Sequence, residues 1–263
     1  MGRSSAKAIS RGKRHNLVVS DDEDDDYWRG GSLPSSNQMH HYSSKSIEVH
    51  SRRTDVFKPR NANQERYNTL LDGDGPSIVI AAGAAGTGKS CMAVAAAISK
   101  LNENEYERIV ISRPAVCVEE EHGFLPGDLN MKMAPWMQPL YDTFYKYYTP
   151  EQVDAMIAKK IIDICPIAFL RGRTFSNSFV IIDEAQNCSI NQMLMILTRI
   201  GSNSKMVITG DPMQSDREDR NGFTDLLSRL AANSHITDIK TVTFTEDDVE
   251  RHPVIKDVLR MYK

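Results

Sequence analysis

The amino-acid sequence predicts an α/β domain with one mostly parallel sheet covered by helices. The main observation is that, from Val56 onward, short apolar runs rich in β-branched residues alternate with longer segments of helical pattern. This alternation is typical of parallel strands joined by helical crossovers. The chain has 263 residues, which is enough for a sizeable core. Five or six strands use up the length after residue 55, so the sequence predicts a single domain.

Residues 1–55 differ in composition from the rest of the chain. Residues 1–14 contain five basic and no acidic side chains, and the acidic run DDEDDD follows at Asp21 to Asp26. The remainder is rich in Ser, Asn, His and Gly and shows little apolar periodicity. Because such a segment cannot bury enough surface to offset its ordering entropy, we expect a disordered tail. The simplest role is solubility; a nucleic-acid-binding arm and pairing of the two charged blocks are the alternatives.

Overall charge and cysteine usage narrow the class of protein. The formal net charge is −3, so bulk electrostatics alone favour neither a nucleic-acid nor a membrane partner. The four cysteines form no CxxC pair, which favours a reduced, cytoplasmic environment over a zinc site or a disulfide frame. No apolar run is long enough to span a membrane, and the N-terminus lacks an apolar signal segment. We therefore expect a soluble cytoplasmic protein without membrane contact.

The predicted elements follow one another in a regular order after residue 55. Strands are predicted at 77–82, 108–114, 161–166, 178–184, 205–211 and 239–244. Helices are predicted at 63–72, 92–101, 151–160, 190–200, 222–233 and 254–263. Between the second and third strands lies an irregular excursion, which we interpret as an insertion carrying one aromatic helix within Met133–Tyr148.

The segment GAAGTGKS connects the first predicted strand to the helix that follows it. Its Gly-x-x-x-x-Gly-Lys-Ser spacing lets a loop fold around a phosphate with backbone N–H groups pointing inward. Lys89 is predicted to reach the β- and γ-phosphates, and the Ser90 hydroxyl to join a Mg²⁺ shell. A glycine-rich turn that merely contains a lysine is the alternative, and the flanking strand and helix argue against it. The residues predicted to bind the triphosphate are Gly83, Ala84, Ala85, Gly86, Thr87, Gly88, Lys89, Ser90 and Cys91.

Two acidic residues end the apolar strand FVII, in the form of a Walker B strand. In α/β sheets, ligands bind at the carboxyl ends of strands. Asp183 is therefore predicted to hold Mg²⁺ through a water, and Glu184 to act as general base for the attacking water. Two surface acids would be the alternative if no phosphate loop preceded them. A glutamate beside the metal-binding aspartate also favours hydrolysis over phosphate transfer to a substrate.

The segment GDPMQ, Gly210 to Gln214, ends the next predicted strand. A glutamine there can hydrogen-bond both the γ-phosphate and the attacking water. Gln214 is therefore predicted to sense the terminal phosphate, which is one way in which nucleotide binding is converted into movement. An ordinary polar turn is the alternative.

Seven segments together resemble the PhoH-like family of P-loop ATPases, which is similar to the superfamily 1 helicase core. In order, they are GAAGTGKS, SRPAV, HGFLPGDL, FLRGRTF, FVIIDEAQN, LTRIGSNSKMVITGDPMQSD and DVERHPVI. The resemblance covers residues 58–262 and leaves the tail without a counterpart. It implies a RecA-like P-loop NTPase fold, ATP and Mg²⁺ as ligands, and ATP hydrolysis coupled to single-stranded RNA or DNA.

The resemblance also implies roles for residues outside the phosphate site. Gln64 corresponds to the adenine-reading glutamine, a role that its amide can fill; an ordinary helix-surface glutamine is the alternative. Arg113 corresponds to a segment that contacts nucleic-acid backbone, and Arg171 and Arg173 would extend this patch, with a structural role as the alternative. Aromatic residues of the insertion either stack on unpaired bases or belong to the core or to a subunit interface. They are Trp136, Tyr141, Phe144, Tyr145, Tyr147 and Tyr148.

Superfamily 1 helicases bind ATP between two domains, and the second domain supplies an arginine that contributes about 10³–10⁵ in rate. This chain has no room for such a domain, so an isolated monomer should be slow. We hypothesise a homo-oligomeric ring, consistent with a hexamer, in which a neighbouring subunit supplies Arg199 or Arg251. Salt bridges within one subunit are the alternative for both residues.

The sequence leaves three function classes to compare. The leading interpretation is a Mg²⁺-dependent ATPase coupled to single-stranded nucleic acid, RNA foremost, with helicase activity as its strongest form. The alternative is a nucleotide-gated assembly or partner-remodelling ATPase that does not unwind duplexes. A small-molecule kinase is disfavoured by Glu184 and Gln214 and by the lack of an Arg-rich lid.

Overall fold

The computed structural model describes residues 57–72, 74–114, 138–215 and 221–250, together with residues 254 and 261. Several predictions concern other parts of the chain and lie outside the described residues. These are the disordered tail, the segment His122–Leu129, Trp136, Arg251 and most of the helix at 254–263.

Six parallel strands form a single sheet in the described part of the chain, and the predicted fold class is confirmed. They are β1 Ile78–Gly83, β2 Arg108–Arg113, β3 Ile162–Pro166, β4 Ser178–Ile182, β5 Lys205–Gly210 and β6 Ile239–Phe244. Their order across the sheet is β3-β2-β4-β5-β1-β6. Every pairing is parallel, so the carboxyl ends of all the strands lie along one edge of the sheet. The three motif-bearing strands β4, β5 and β1 are neighbours at its centre.

Helices on both faces complete the layered architecture. They are α1 Ala62–Leu71, α2 Lys89–Asn102, α3 Pro150–Ala158, α4 Ile190–Leu197 and α5 Gly222–Ala232. Residues 138–144 are also helical, and short 3₁₀ turns occur at Ile167–Leu170, Ala185–Asn187 and Glu246–Asp248. Local sequence fixes several helix starts: Thr149 and Ser189 form capping boxes with the glutamine three residues later. Among the described residues, no helix is long and apolar enough to cross a membrane.

The core consists of two apolar clusters, which take alternate residues of the strands as the pleat of a sheet requires. One contains Val79 of β1 and Ile111 of β2, packed with residues of α2 and of the 138–148 region. The other contains Ile80 and Val110 from the same two strands. Burial of each large aliphatic side chain contributes about 1.5–3 kcal/mol. Both faces of the central strands are therefore covered by packed side chains, and a ligand site can form at their carboxyl edge.

Three of the aromatic residues that were candidates for base stacking belong to this core. Phe144, Tyr147 and Tyr148 are buried in the first cluster. Because a buried ring cannot stack on a nucleic-acid base, the stacking prediction is wrong for these residues and the core alternative is correct. Tyr141 and Tyr145 stack on each other, with ring centroids 6.1 Å apart, and Tyr145 is 40% exposed.

Candidate active site

The loop between β1 and α2 has the conformation that its glycines predict. Gly83, Gly86 and Gly88 have φ angles of 137°, 83° and 87°. At Gly83, a side-chain Cβ would lie 2.0 Å from the carbonyl oxygen of Phe244. Only glycine therefore lets β1 turn into the loop beside the end of β6. Gly88 is the N-cap of α2, so the helix begins at Lys89, three residues earlier than predicted.

The Lys89 side chain hydrogen-bonds the first residues of this loop. Its ammonium donates hydrogen bonds to the carbonyl oxygens of Gly83 and Ala84, at 2.7 and 2.8 Å. Burial lowers the pKa of Lys89, and the nearby carboxylates of Asp211, Glu184 and Asp183 raise it in opposition. The lysine is thus a buried cation within reach of acidic groups, at the end of a loop whose backbone suits phosphate.

Two hydroxyl groups meet on a single carboxylate oxygen beside the loop. The Ser90 and Thr209 hydroxyls donate to Oδ1 of Asp183 at 2.6 and 2.5 Å. These residues come from the first turn of α2, the end of β4 and the body of β5. Hydroxyl and carboxylate oxygens are the ligands that Mg²⁺ takes in proteins, usually together with waters and substrate phosphates. Ser90 and Asp183 therefore fit the predicted Mg²⁺ site, and Thr209, which the sequence interpretation missed, donates to the same Asp183 oxygen.

Glu184 is held on both sides of its carboxylate. A guanidinium nitrogen of Arg113 lies 3.2 Å from Oε1, and Nε2 of Gln186 donates to Oε2 at 2.5 Å. The backbone of Glu184 is left-handed, with φ 53° and ψ 41°, which costs a non-glycine residue about 1–2 kcal/mol. Such strain persists where surrounding contacts enforce it, and it is typical of functional positions.

Gln186, which the sequence interpretation missed, links Glu184 to the loop that follows β5. Its Oε1 accepts a hydrogen bond from the backbone N–H of Asp211 at 3.1 Å, while its Nε2 donates to Glu184. Asp211 is buried and accepts bonds from the backbone N–H groups of Ala85 and Met213, at 3.2 and 3.0 Å. The sequence shows a polar residue two positions after Glu184, but it cannot show that this residue pairs with Asp211, which is distant in the chain.

These groups surround one cavity of about 300 Å³ at the carboxyl edge of the sheet. It unites the predicted phosphate loop with Asp183, Glu184 and Gln214. The sequence did not predict that Arg113 lines it, nor that the helical residues 138–144 form one wall. The lining residues are Ala85, Gly86, Gly88, Lys89, Ser90, Cys91, Arg113, Pro139, Leu140, Thr143, Asp183, Glu184, Thr209, Gly210, Asp211 and Gln214.

Gln64 does not line this cavity but braces its loop. The side chain is buried, its Nε2 donates to the Thr87 carbonyl oxygen at 3.0 Å, and its Oε1 accepts from the Arg60 N–H at 2.8 Å. The helix-surface alternative is wrong, since Gln64 is 1% exposed. Adenine reading stays a prediction.

The predicted arginines lie at different places. Arg199 donates to the carbonyl oxygens of Met195 and Arg173 and to the Thr198 hydroxyl, all within its own chain. Arg173 pairs with Asp163, and its guanidinium carbon lies 4.7 Å from the Phe175 ring centroid. The ion pair of Arg173 is of the structural kind given above as its alternative, whereas the bonds of Arg199 go to carbonyl and hydroxyl oxygens and not to the carboxylate that a salt bridge would need.

A strand, a glycine-rich loop with an inward lysine, a helix, and an aspartate at the end of a neighbouring strand define a P-loop nucleoside-triphosphate-binding protein. Within this class, the sequence model described as PhoH-like protein matches residues 56–263. The chain belongs to the PhoH-like family, as its motifs indicate.

Relatives from several bacteria support this membership. The chain is 38% identical over 218 residues to a PhoH-like protein of Mycobacterium tuberculosis (strain H37Rv), covering 82% of this chain and 60% of that protein. It is 34% identical over 265 residues to a PhoH-like protein of Synechocystis, covering 98% and 75% respectively. It is 31% identical over 266 residues to Protein PhoH of Escherichia coli K12, covering 100% and 74%. The chain thus spans 60% of the length of the mycobacterial relative.

Proposed function

We propose that this chain is a Mg²⁺-dependent ATPase whose turnover is coupled to single-stranded nucleic acid, RNA foremost. One observation carries the ATPase proposal: a single cavity holds the lysine of the phosphate loop, the Ser90–Asp183 pair and Glu184. Binding alone would need the first two features. A glutamate at the end of β4 adds a group that can take a proton from water.

The roles of the binding residues follow from their chemistry. Lys89 and the N–H groups of the loop bind the β- and γ-phosphates. Ser90 and Asp183 hold Mg²⁺, which when bound neutralises charge on the phosphate oxygens. The cavity needs this help, because Asp183, Glu184 and Asp211 outnumber the cations Lys89 and Arg113 among the described lining residues. Triphosphate binding should therefore depend strongly on the metal ion.

In the proposed hydrolysis, Glu184 accepts a proton from the attacking water. The water oxygen forms a bond to the γ-phosphorus as the bond from that phosphorus to the β–γ bridging oxygen breaks. ADP leaves with the electron pair of the broken bond, and inorganic phosphate forms. Gln214, an exposed residue that lines the same cavity, orients the water and contacts the terminal phosphate.

The coupling to nucleic acid rests on family membership and on a surface at the carboxyl edge of the sheet. Phe169 is 56% exposed and Arg171 is also exposed, both shortly after the end of β3. An exposed aromatic ring and an arginine suit a single strand, since bases stack on the first and phosphates pair with the second. Of the three arginines proposed for this patch, Arg113 and Arg173 are paired with Glu184 and Asp163.

We further propose a homo-oligomeric ring, with a hexamer as the expected form. Arg199, bound within its own chain, would have to exchange partners to act on a neighbour. Light scattering coupled to size-exclusion chromatography tests the assembly. A monomer with full activity on dilution would remove it.

The decisive experiment for the ATPase proposal is steady-state phosphate release with Mg²⁺-ATP, with and without single-stranded RNA, in the wild type and in Glu184→Gln. We expect the variant to bind ATP but to lose about 10²–10⁴ in turnover. Stimulation by RNA supports strand coupling and justifies unwinding assays. Turnover that ignores both RNA and DNA would instead favour the partner-remodelling ATPase, and full activity of Glu184→Gln would remove the catalytic assignment.

A further inference from the structure

We propose that Arg113 supplies, from the same chain, the positive charge that stabilises the transition state of ATP hydrolysis, and that Glu184 holds this arginine until a terminal phosphate is present. The inference rests on the proposed ATPase function and deepens it. It assigns Arg113 two successive partners, a carboxylate and then a phosphate. An arginine from a neighbouring subunit of the proposed ring would add to this charge instead of supplying it alone.

The sheet places Arg113 at the reacting end of the cavity. It is the last residue of β2, which pairs with β4 so that Ser112 lies opposite Ile182. The backbone N–H of Asp183 donates to the Ser112 carbonyl oxygen at 2.9 Å, which fixes this register at the strand ends. Arg113 therefore leaves β2 beside the point where Asp183 and Glu184 leave β4.

The charges of the cavity single out Arg113 for this role. Lys89 and Arg113 are the two cations among the described lining residues. Lys89 lies on the phosphate loop and donates to its carbonyl oxygens. Arg113 approaches from the carboxyl end of β2, on the side of the proposed base, with its guanidinium 3.2 Å from Glu184. The two cations can therefore contact one terminal phosphate from different sides.

The exchange of partners is energetically favourable. The Arg113 and Glu184 side chains are 23% and 37% exposed, and partly exposed ion pairs of this kind are weak. A terminal phosphate carries more charge than a carboxylate and can accept the planar guanidinium in bidentate fashion. A phosphate in the cavity should therefore take Arg113 from Glu184.

This exchange would also prepare the base. Glu184 keeps its hydrogen bond from Gln186 Nε2 at Oε2 when Arg113 departs, so the carboxylate stays oriented. Its Oε1, the oxygen that faces Arg113, is then the one that can receive the proton of the attacking water. The strained backbone of Glu184 is consistent with a carboxylate positioned for this purpose. Base release and charge stabilisation would thus both depend on the terminal phosphate.

The test compares Arg113→Met and Arg113→Lys with a matched control, Arg108→Met. Arg108 lies on the same strand at its other end and donates to the Ser178 hydroxyl at 2.9 Å. Two kinds of measurement are made on each protein. The first is kcat and KM for Mg²⁺-ATP, with and without single-stranded RNA. The second is the Kd for ADP alone, for ADP with aluminium fluoride, a mimic of the transferring phosphoryl group, and for single-stranded RNA.

We expect Arg113→Met to lower kcat by about 10²–10³. Its Kd for ADP should stay within about threefold of the wild-type value, while the tighter binding gained by adding aluminium fluoride is lost. Arg113→Lys should recover part of that gain, because it keeps the charge but not the planar fork. Arg108→Met should match the wild type in both assays. If Arg113 had only a structural role, its replacement would change the Kd for ADP and the Kd for ADP with aluminium fluoride by similar factors.

The inference is overturned if Arg113→Met keeps its kcat and the full aluminium fluoride effect. It is also overturned if this variant loses only RNA binding and RNA-stimulated turnover, which would assign Arg113 to the nucleic acid. A wild type that releases no phosphate would sink the proposed ATPase function instead. In that case the aluminium fluoride measurement still decides whether Arg113 contacts a phosphoryl group.

Discussion

The hydroxyl of Ser90 lies 2.6 Å from Oδ1 of Asp183, which joins the start of α2 to the end of β4. The two residues are 93 positions apart in the chain. The Thr209 hydroxyl reaches the same oxygen from β5. Three elements are therefore fixed around one carboxylate, at the site proposed for Mg²⁺.

Removal of either member of this pair should weaken nucleotide binding only when Mg²⁺ is present. Ser90→Ala removes a hydroxyl oxygen and Asp183→Asn removes the negative charge that would attract the ion, so we expect metal affinity to fall by about 10–100-fold. Calorimetric titration of ATP with Mg²⁺ and with EDTA measures both conditions. Thr209→Val is the matched control, since it removes a hydroxyl from the same Asp183 oxygen but no proposed ligand. Equal affinities for wild type and Ser90→Ala would contradict the metal assignment.

Gln186→Leu should lower both turnover and stability. The substitution leaves the buried N–H of Asp211 without its acceptor, which costs about 1–3 kcal/mol of unfolding free energy. It also removes the donor that orients Glu184, so kcat should fall while the Kd for ADP changes little. Urea unfolding and steady-state kinetics measure the two effects separately. A variant with lower stability and unchanged kcat would show that Gln186 only supports the fold.

Gly83→Ala should be much more damaging than Gly172→Ala, although both glycines have a positive φ. At Gly83 the new Cβ would lie 2.0 Å from a backbone oxygen, whereas at Gly172 nothing lies within 4 Å. At Gly172 we expect the unfolding free energy to fall by about 1–2 kcal/mol from the backbone conformation alone. At Gly83 the clash adds to it, for a total of at least about 3 kcal/mol. Thermal unfolding of both variants, followed by circular dichroism, tests the ranking, and equal losses would refute the packing argument.

Lys205 should make stability rise with pH above 8. Its ammonium is buried at the start of β5 and donates to the carbonyl oxygens of Leu70 and Asp72. Burial lowers the pKa of Lys205 from 10.5 to about 8. Between these values the unfolded chain binds a proton that the folded chain has lost, so unfolding becomes harder as pH rises.

Urea unfolding at pH 7.5 and 9.5 measures this contribution, with Lys205→Met as the reference. Relative to that variant, the unfolding free energy of the wild type should rise by up to about 2 kcal/mol between pH 7.5 and 9.5. Parallel pH dependence of the two proteins would show that the folded state does not lower this pKa.

The predictable part of the site consists of groups that are close together along the chain. The phosphate loop needs particular residues at fixed local spacing, so Gly83 to Ser90 could be recognised without knowledge of the fold. The strands were predictable for the same reason, because apolar runs between turns reflect local burial. Asp183 and Glu184 were predictable as a pair because they end such a run.

The tertiary structure alone decided which distant groups meet. The strand order places β2 beside β4, and only this neighbourhood brings Arg113 to Glu184. Gln186 and Thr209 likewise find their partners across strands. The aromatic stripe of the insertion has the same spacing whether it faces solvent or core, and packing against the first apolar cluster buried Phe144. Periodicity shows which side chains share one face of a helix or strand, whereas the arrangement of the other elements determines what that face contacts.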